Sequence, residues 1–313
     1  MAVPVEYAVQ TQYGKISVLD SQGDGPAALL IHGNSACKEV FRKQFESNIG
    51  RDFRLIAIDL PGHGKSENAR DAEATYSLPG YADVAIDVLQ KMGIQKASIV
   101  GWSLGGHIAI DMLKRWPGTQ GILITGTPPI PLTAEGFSQG FRPFPCLHLM
   151  SQEKFSPEEA ETFVAQGGIN TKEAPFLLEA TLRTHGAARS CLIASMQKGI
   201  GGNQKEIVET SNKPVAVVGG EDDTGINNDY IQKEVAFKNL WNNRVNLLKG
   251  GHGVFWQNSQ KFNEVLGRFL KDIDPLKEAS PRKKETNYLL IGGICALAVA
   301  FLGAAFFKLR RST

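Results

Sequence analysis

The 313-residue sequence has few cysteines, no clustered histidines and no concentration of positive charge in its body. Its four cysteines, Cys37, Cys146, Cys191 and Cys295, are scattered without a C-x-x-C pair, and its six histidines show no H-x-x-x-H spacing. Neither a disulfide framework nor a zinc site is expected, and no metal or cofactor is called for. Six of the 34 basic residues and one of the 32 acidic ones fall in 281–313, so the formal charge of +2 hides a body of net charge −3. No basic stripe crosses that body, which leaves no electrostatic footprint for nucleic acid. Long uncharged apolar runs are equally scarce, with one exception.

The exception is Tyr288 to Phe307, YLLIGGICALAVAFLGAAFF, twenty residues without a charge. At about 1.5 Å per residue a helix of this length reaches about 30 Å, the hydrocarbon thickness of a bilayer. A buried core helix would show an amphipathic stripe, whereas this run is apolar all round between PRKK and KLRR. Residues 288–307 are therefore expected to form a transmembrane tail anchor, after a basic linker 273–287 and before a short basic tail 308–313. Gly292, Ala296, Ala300 and Ala304 recur every four residues, a stripe through which two spans would associate weakly. The opening MAVPVEYAVQ carries Glu6 and lacks a basic start followed by an apolar stretch, so no secretory signal is expected. That places the body on the cytosolic side of a mitochondrial outer, peroxisomal or endoplasmic reticulum membrane.

Elsewhere short β-branched runs alternate with amphipathic stretches. Strands are expected at Glu6–Thr11, Lys15–Leu19, Ala27–Ile31, Arg54–Asp59, Lys96–Val100, Gly121–Thr125, Pro214–Val218 and Arg244–Leu248. Tight turns such as SQGDGP suggest antiparallel hairpins among the first of these. From Ala27 the order becomes strand, helix, strand, which implies a parallel sheet with helices on both sides. One helix has clear ends: Ser77 can cap it, Pro79 suits its first turn, Val84, Ala85, Val88 and Met92 share a face, and Gly93 stops it. From Pro128 to about Lys213 the rhythm breaks. This interval opens with TPPIPLTAEGFSQGFRPFP and continues as helix from a capping-box pattern at Ser156 to Glu159, and it is too long for a plain connection. A helical lid over about 130–212 is expected.

Residues 99–106 read IVGWSLGG. A strand ending at Val100 with a helix starting at Leu104 forces a sharp turn, and glycines at 101, 105 and 106 relieve the crowding around the residue at its apex. Ser103 then projects above the carboxyl edge of the sheet. There a helix N-terminus offers main-chain N–H groups to a developing oxyanion.

With LLIHGNSA, LIAIDLPGHGKS, IVGWSLGGHIA, PVAVVGGEDD and KGGHGVFWQNSQKFNEVLGRFL in this order, the chain resembles the α/β-hydrolase family over roughly residues 5–272, in its serine-nucleophile, esterase-like branch. The resemblance implies an eight-stranded, mostly parallel sheet, a helical lid and a Ser-Asp/Glu-His triad in that chain order. Relatives with epoxide hydrolase or haloalkane dehalogenase activity carry aspartate at the nucleophile position, where this sequence has Ser103.

A serine hydroxyl needs a base, and the base needs an acceptor that holds its tautomer. His252, in the glycine-rich loop KGGHG before an amphipathic final helix holding Phe255, Phe262, Val265, Leu266 and Phe269, is the candidate base. His32, His63 and His107 are expected to shape loops or bond locally, and His148 and His185 fall in the lid. The family pattern puts the acid three residues after the strand-ending glycine, here Asp223, with Asp222 as the alternative. The resemblance also implies an oxyanion hole made by the main-chain N–H groups of Asn34 and Leu104.

The expected activity is cofactor-independent serine hydrolysis, through an acyl-enzyme, of a small carboxylic ester with an apolar portion, lipid-derived esters among the candidates. Lid residues Phe137, Phe141, Phe144, Phe163 and Phe176 would form the apolar pocket. The same triad also serves C–C bond hydrolysis, thioester hydrolysis and acyl transfer, and a hydrolase fold can act as a ligand-binding membrane scaffold. A chain ending at Lys277 is expected to be soluble without detergent, whereas the full chain resists carbonate extraction; full-length protein in the soluble fraction contradicts the anchor.

Overall fold

A computed structural model describes residues 3–274. Side chains on an extended strand point alternately to opposite faces, and a strand buried on both faces must be apolar at every position. The central segments meet that demand but for Arg54 and Ser98: Ala27–Ile31 (β3), Arg54–Ile58 (β4), Ala97–Trp102 (β5) and Val215–Gly220 (β7) are buried almost throughout. Val5–Thr11 (β1) alternates exposed and buried positions instead, as an edge strand does. Gly14–Asp20 (β2), Thr119–Thr125 (β6) and Asn246–Leu248 (β8) complete one sheet of order β1-β2-β4-β3-β5-β6-β7-β8. β2 is antiparallel to both its neighbours and all other pairings are parallel.

The alternation separates two cores. Leu29, Ile31, Ile56, Ile58, Ile99 and Ile122 face the helices Leu78–Lys91 and Leu104–Arg115. Ala28, Leu30, Leu55, Ala57, Val100 and Val218 face Phe41, Phe255 and the last described helix, Ser259–Asp272. The helix Leu78–Lys91 has the expected ends, with the Ser77 hydroxyl accepting from the Gly80 N–H at 3.1 Å and Gly93 at φ +73° beyond its C-terminus. Between β6 and β7 lies a strand-free insert of helices, Ala134–Gly140, Pro157–Gln166, Pro175–Arg183, Gly186–Gln197 and Gln204–Thr210. The capping box at Ser156 and Glu159 is formed.

Three local expectations are corrected. SQGDGP does not close a hairpin, because β2 pairs with β4 and not β3, in the register Val18 to Ile58. Ser21 holds the end of β2 on β4 by exchanging hydrogen bonds with Leu55, at 2.8 and 2.9 Å. Gly25 packs so closely on the Asp52 carbonyl that a Cβ would overlap it. β5 runs two residues past Val100, since Gly101 and Trp102 stay paired with Ile124 and Thr125. Phe255 belongs to a separate turn, Val254–Gln257, and not to the final helix.

The expected span 288–307, its small-residue stripe and the basic segments around it lie outside the described residues. Among the described residues no helix is long and apolar enough to cross a membrane.

One buried carboxyl opposes the fold. Asp111, on the helix Leu104–Arg115, is 3% exposed, and its nearest cation is Arg115 at 3.4 Å. Burial raises its pKa from 3.8 to about 6, with Arg115 pulling the other way. The folded chain thus binds this proton more tightly than the unfolded chain, and the ionised carboxylate weakens the fold above pH 6, a penalty that fades as pH falls towards 3.8. Asp111→Asn is expected to raise the melting temperature at pH 8, by an amount equivalent to at most about 3 kcal/mol, and to lose the advantage near pH 4. Thermal unfolding of both chains across this range checks it; equal gains at both ends count against it.

Candidate active site

Ser103 sits between the end of β5 and the start of the helix Leu104–Arg115, at φ +54° and ψ −115°. A left-handed φ on a residue with a side chain costs about 1–3 kcal/mol, so the surroundings must impose it. They do so by backbone contact. A Cβ on Gly101 would overlap the Gly105 carbonyl, and one on Gly105 would overlap the Ile31 carbonyl at the end of β3. The Ser103 N–H donates to the Thr125 carbonyl at 2.9 Å, and the Thr127 hydroxyl donates to the Ser103 carbonyl at 2.9 Å. The serine is held from the β6 side, and the helix turn that follows it lies against β3.

His252 follows β8 in the loop before Val254–Gln257. The Trp102 indole N–H donates to its carbonyl at 3.1 Å, and the Trp102 and His252 rings lie 5.7 Å apart. Its Nδ1 is 2.8 Å from Asp223 Oδ2. Burial pushes the Asp223 carboxyl up, but the His252 hydrogen bond and charge, with main-chain N–H groups of Gly225 at 2.9 Å and Ile226 at 3.2 Å on Oδ1, outweigh it and hold its pKa below the usual value. An ionised carboxylate only accepts, so Nδ1 carries the proton and Nε2 is left as the acceptor. Asp222 is exposed and makes no such contact, and Glu221 pairs with Lys249 at 2.9 Å.

Ser103, Asp223 and His252 line one cleft. Ser103 and His252 are not directly hydrogen-bonded, a looseness common before substrate binds. Asn34 and Leu104 flank the serine. Among the described residues neither main-chain N–H has a protein acceptor, so both are free to meet an oxyanion.

The other five histidines are engaged elsewhere. His32 Nδ1 meets the Gly33 carbonyl at 2.7 Å and Nε2 accepts from Leu60 N–H at 3.0 Å, bracing the loop that carries Asn34. His63 Nδ1 meets the Pro61 carbonyl at 3.0 Å. His107 is buried, with its pKa lowered to about 4 by that burial, and bonds Gln204 at 2.6 Å while Gln204 Nε2 donates to the His107 carbonyl at 3.0 Å. His185 meets the Tyr76 hydroxyl at 2.8 Å, and His148 is exposed. Among the described residues no group of three or more His, Cys, Asp or Glu could hold a metal ion.

The cleft wall is apolar: Phe141, Phe144, Phe163, Val164, Leu177 and Ile226. Two of the five expected phenylalanines are not part of it. Phe137 stacks behind Phe141 at 6.0 Å, and Phe176 packs on Trp256 at 5.9 Å. Met150, Leu177, Thr181 and Ile226 also line the cleft and were not foreseen, because nothing in their local sequence separates a cleft wall from a core.

Residues 28–265 match the model of the Alpha/beta hydrolase family. The chain belongs to that family. Among solved structures it is similar to the N-acyl homoserine lactonase AidH complexed with N-butanoyl homoserine, at 40% identity and a TM-score of 0.83 over 87% of this chain and 98% of the other. It is also similar to the 2-hydroxy-6-oxononadienedioate/2-hydroxy-6-oxononatrienedioate hydrolase of Paraburkholderia phymatum, 26% identical over 83% of this chain and 88% of that one. The AB hydrolase superfamily protein YisY of Bacillus subtilis is 23% identical over 83% and 97%.

The geometry ranks the two candidate acids. Asp223→Asn keeps the side chain's shape but favours the wrong His252 tautomer, and is expected to lower kcat by about 10⁴. Asp222→Asn should stay within about threefold of the parent chain. Steady-state kinetics on a chromogenic ester check the order, and the reverse ranking overturns the assignment.

Proposed function

We propose that this α/β hydrolase is a serine hydrolase of small, uncharged carboxylic esters, and that its preferred substrates are lactones bearing an apolar acyl arm. The observation that carries this reading is the meeting of Ser103 with the His252–Asp223 pair in a cleft whose wall, among the described residues, holds no other charged side chain.

In the reaction, Ser103 Oγ attacks the ester carbonyl carbon as its proton passes to His252 Nε2. The carbonyl oxygen becomes an oxyanion and takes hydrogen bonds from the N–H groups of Asn34 and Leu104. Asp223 stabilises the imidazolium without taking its proton. As the C–O bond breaks, the leaving alkoxide takes the proton from Nε2. From a lactone this alcohol stays tethered to the acyl group. Water then attacks the acyl-enzyme carbonyl as its proton passes to Nε2; the bond from Ser103 Oγ to the acyl carbon breaks, Oγ takes that proton back from Nε2, and the acid, a hydroxy acid from a lactone, leaves.

The apolar wall suits an acyl arm, and the insert that supplies most of it acts as a lid. Similarity to AidH, whose structures hold N-acyl homoserine and its lactone, supports a cyclic ester. The dioate hydrolases among the relatives favour C–C cleavage instead, but their named substrates are dicarboxylates. Among the described residues no Lys or Arg lines this cleft to pair with one. We further propose that residues 288–307 anchor the enzyme to a membrane, on the strength of their twenty uncharged residues.

The test compares N-butanoyl and N-hexanoyl homoserine lactones, p-nitrophenyl esters and a 2-hydroxy-6-oxo dioate as substrates. Lactones are expected to give the highest kcat/KM, and Ser103→Ala to lose about 10⁴–10⁶ in kcat. Preference for the dioate, or activity that survives Ser103→Ala, overturns the proposal.

A further inference from the structure

Arg189, on the insert helix Gly186–Gln197, is 1% exposed and, among the described residues, meets no carboxylate within ion-pair distance. A buried guanidinium without a counter-ion is expensive unless its donors are all engaged. Here they meet neutral acceptors only. Nε donates to the Gln152 carbonyl at 2.5 Å, Nη2 to the Glu153 carbonyl at 2.7 Å, and Nη1 to the Thr181 carbonyl at 3.3 Å and the Ser35 hydroxyl at 3.1 Å. The guanidinium also lies 4.2 Å from the Phe155 ring.

The contact with Ser35 gives this arrangement a use beyond holding the insert together. Ser35 follows Asn34 in the loop after β3 and has φ +58°. Its hydroxyl accepts from Arg189 and donates to Asn34 Oδ1 at 3.1 Å. The other end of the Asn34 amide donates to the Met150 carbonyl at 3.2 Å, and the Ser35 carbonyl accepts from the Thr181 hydroxyl at 3.0 Å. Every one of these partners outside the loop, Met150, Thr181 and Arg189, belongs to the insert. An oxyanion donor works only when its direction is set before the charge develops, and Asn34 is set from the insert side.

We propose that Arg189 is a positioning residue for the oxyanion hole, acting through the Ser35 hydroxyl to fix Asn34 so that its main-chain N–H faces the substrate carbonyl oxygen. This rests on the serine hydrolase reading above. It makes the insert part of the catalytic machinery as well as a wall of the cleft, and it implies that displacing the insert disarms the site. A cation in this chain also polarises the Ser35 O–H towards Asn34, which strengthens the link.

The test uses the full chain in detergent and four variants, Ser35→Gly, Ser35→Ala, Arg189→Lys and Arg189→Met. Four quantities are read: melting temperature, fluorophosphonate labelling, kcat and KM on N-hexanoyl homoserine lactone, and affinity for a trifluoromethyl ketone that forms a hemiketal oxyanion on the serine. Ser35→Gly is decisive, because glycine accepts φ +58° without strain while the hydroxyl link is lost. It should keep its melting temperature, keep KM within about twofold and lose about tenfold or more in kcat, with ketone affinity falling in proportion. Arg189→Lys should retain more kcat than Arg189→Met. Ser35→Gly with kcat and ketone affinity within about twofold of the parent overturns the proposal, as does a change confined to KM. If the parent chain takes no fluorophosphonate label, the serine hydrolase reading itself fails and this proposal falls with it.

Discussion

The active end of the sheet depends on backbone lying directly on backbone. Gly101 against the Gly105 carbonyl, and Gly105 against the Ile31 carbonyl, leave no room for a single methyl group. That approach lets β5 turn into a helix without a loop, forces Ser103 into its left-handed conformation, and sets the first turn of the helix beside the end of β3. The main-chain N–H groups of Asn34 and Leu104, one from each side of this contact, would on the proposed reading share a target because the two chains touch there.

A second constraint acts behind the loops. The Asp59 carboxylate, fully buried, accepts from the Lys38 N–H at 2.7 Å and the Lys65 N–H at 2.9 Å, and meets Lys38 Nζ at 2.8 Å. Lys38 Nζ also reaches Glu6 at 2.9 Å and Glu39 at 3.0 Å. One carboxylate thus joins the loop after β3 to the loop after β4, and a cation neutralises it in place. Removing either partner would leave an unpaired buried charge, a more serious loss than the pair's own worth. The loop carrying Asn34 is therefore tied on one side to the sheet by ions and on the other to the insert by Arg189 and Thr181.

Much of this was legible in the sequence wherever the physics is local. The helix Leu78–Lys91 declared its cap and its stop, and the glycines around Ser103 announced a close approach before its partners were known. The eight strands were found within a few residues, since apolar β-branched runs are long enough to read. What escaped was non-local. The pairing of β2 with β4 is decided by a register across some forty residues, and SQGDGP looks the same whether the next strand returns beside it or not. Phe137 and Phe141 are four residues apart on similar sequence, yet one lines the cleft and the other supports it. Nothing in the sequence around Arg189 marks it as special, and only the folded insert shows it buried behind Ser35. The placement of His252 beside Asp223 was expected from the family order of motifs, and spacing alone would not have chosen between Asp222 and Asp223.

The uncharged wall of the cleft has a consequence for the end of the catalytic cycle. An ester enters an apolar site without losing much hydration, but the acid it becomes ionises at neutral pH. A carboxylate in that site meets no Lys or Arg among the described residues and stands near Asp223, itself held in its charged form. Desolvating such an anion is costly, so on the reading proposed above the product is driven out by its own charge. An enzyme built this way would be little inhibited by the acid it makes.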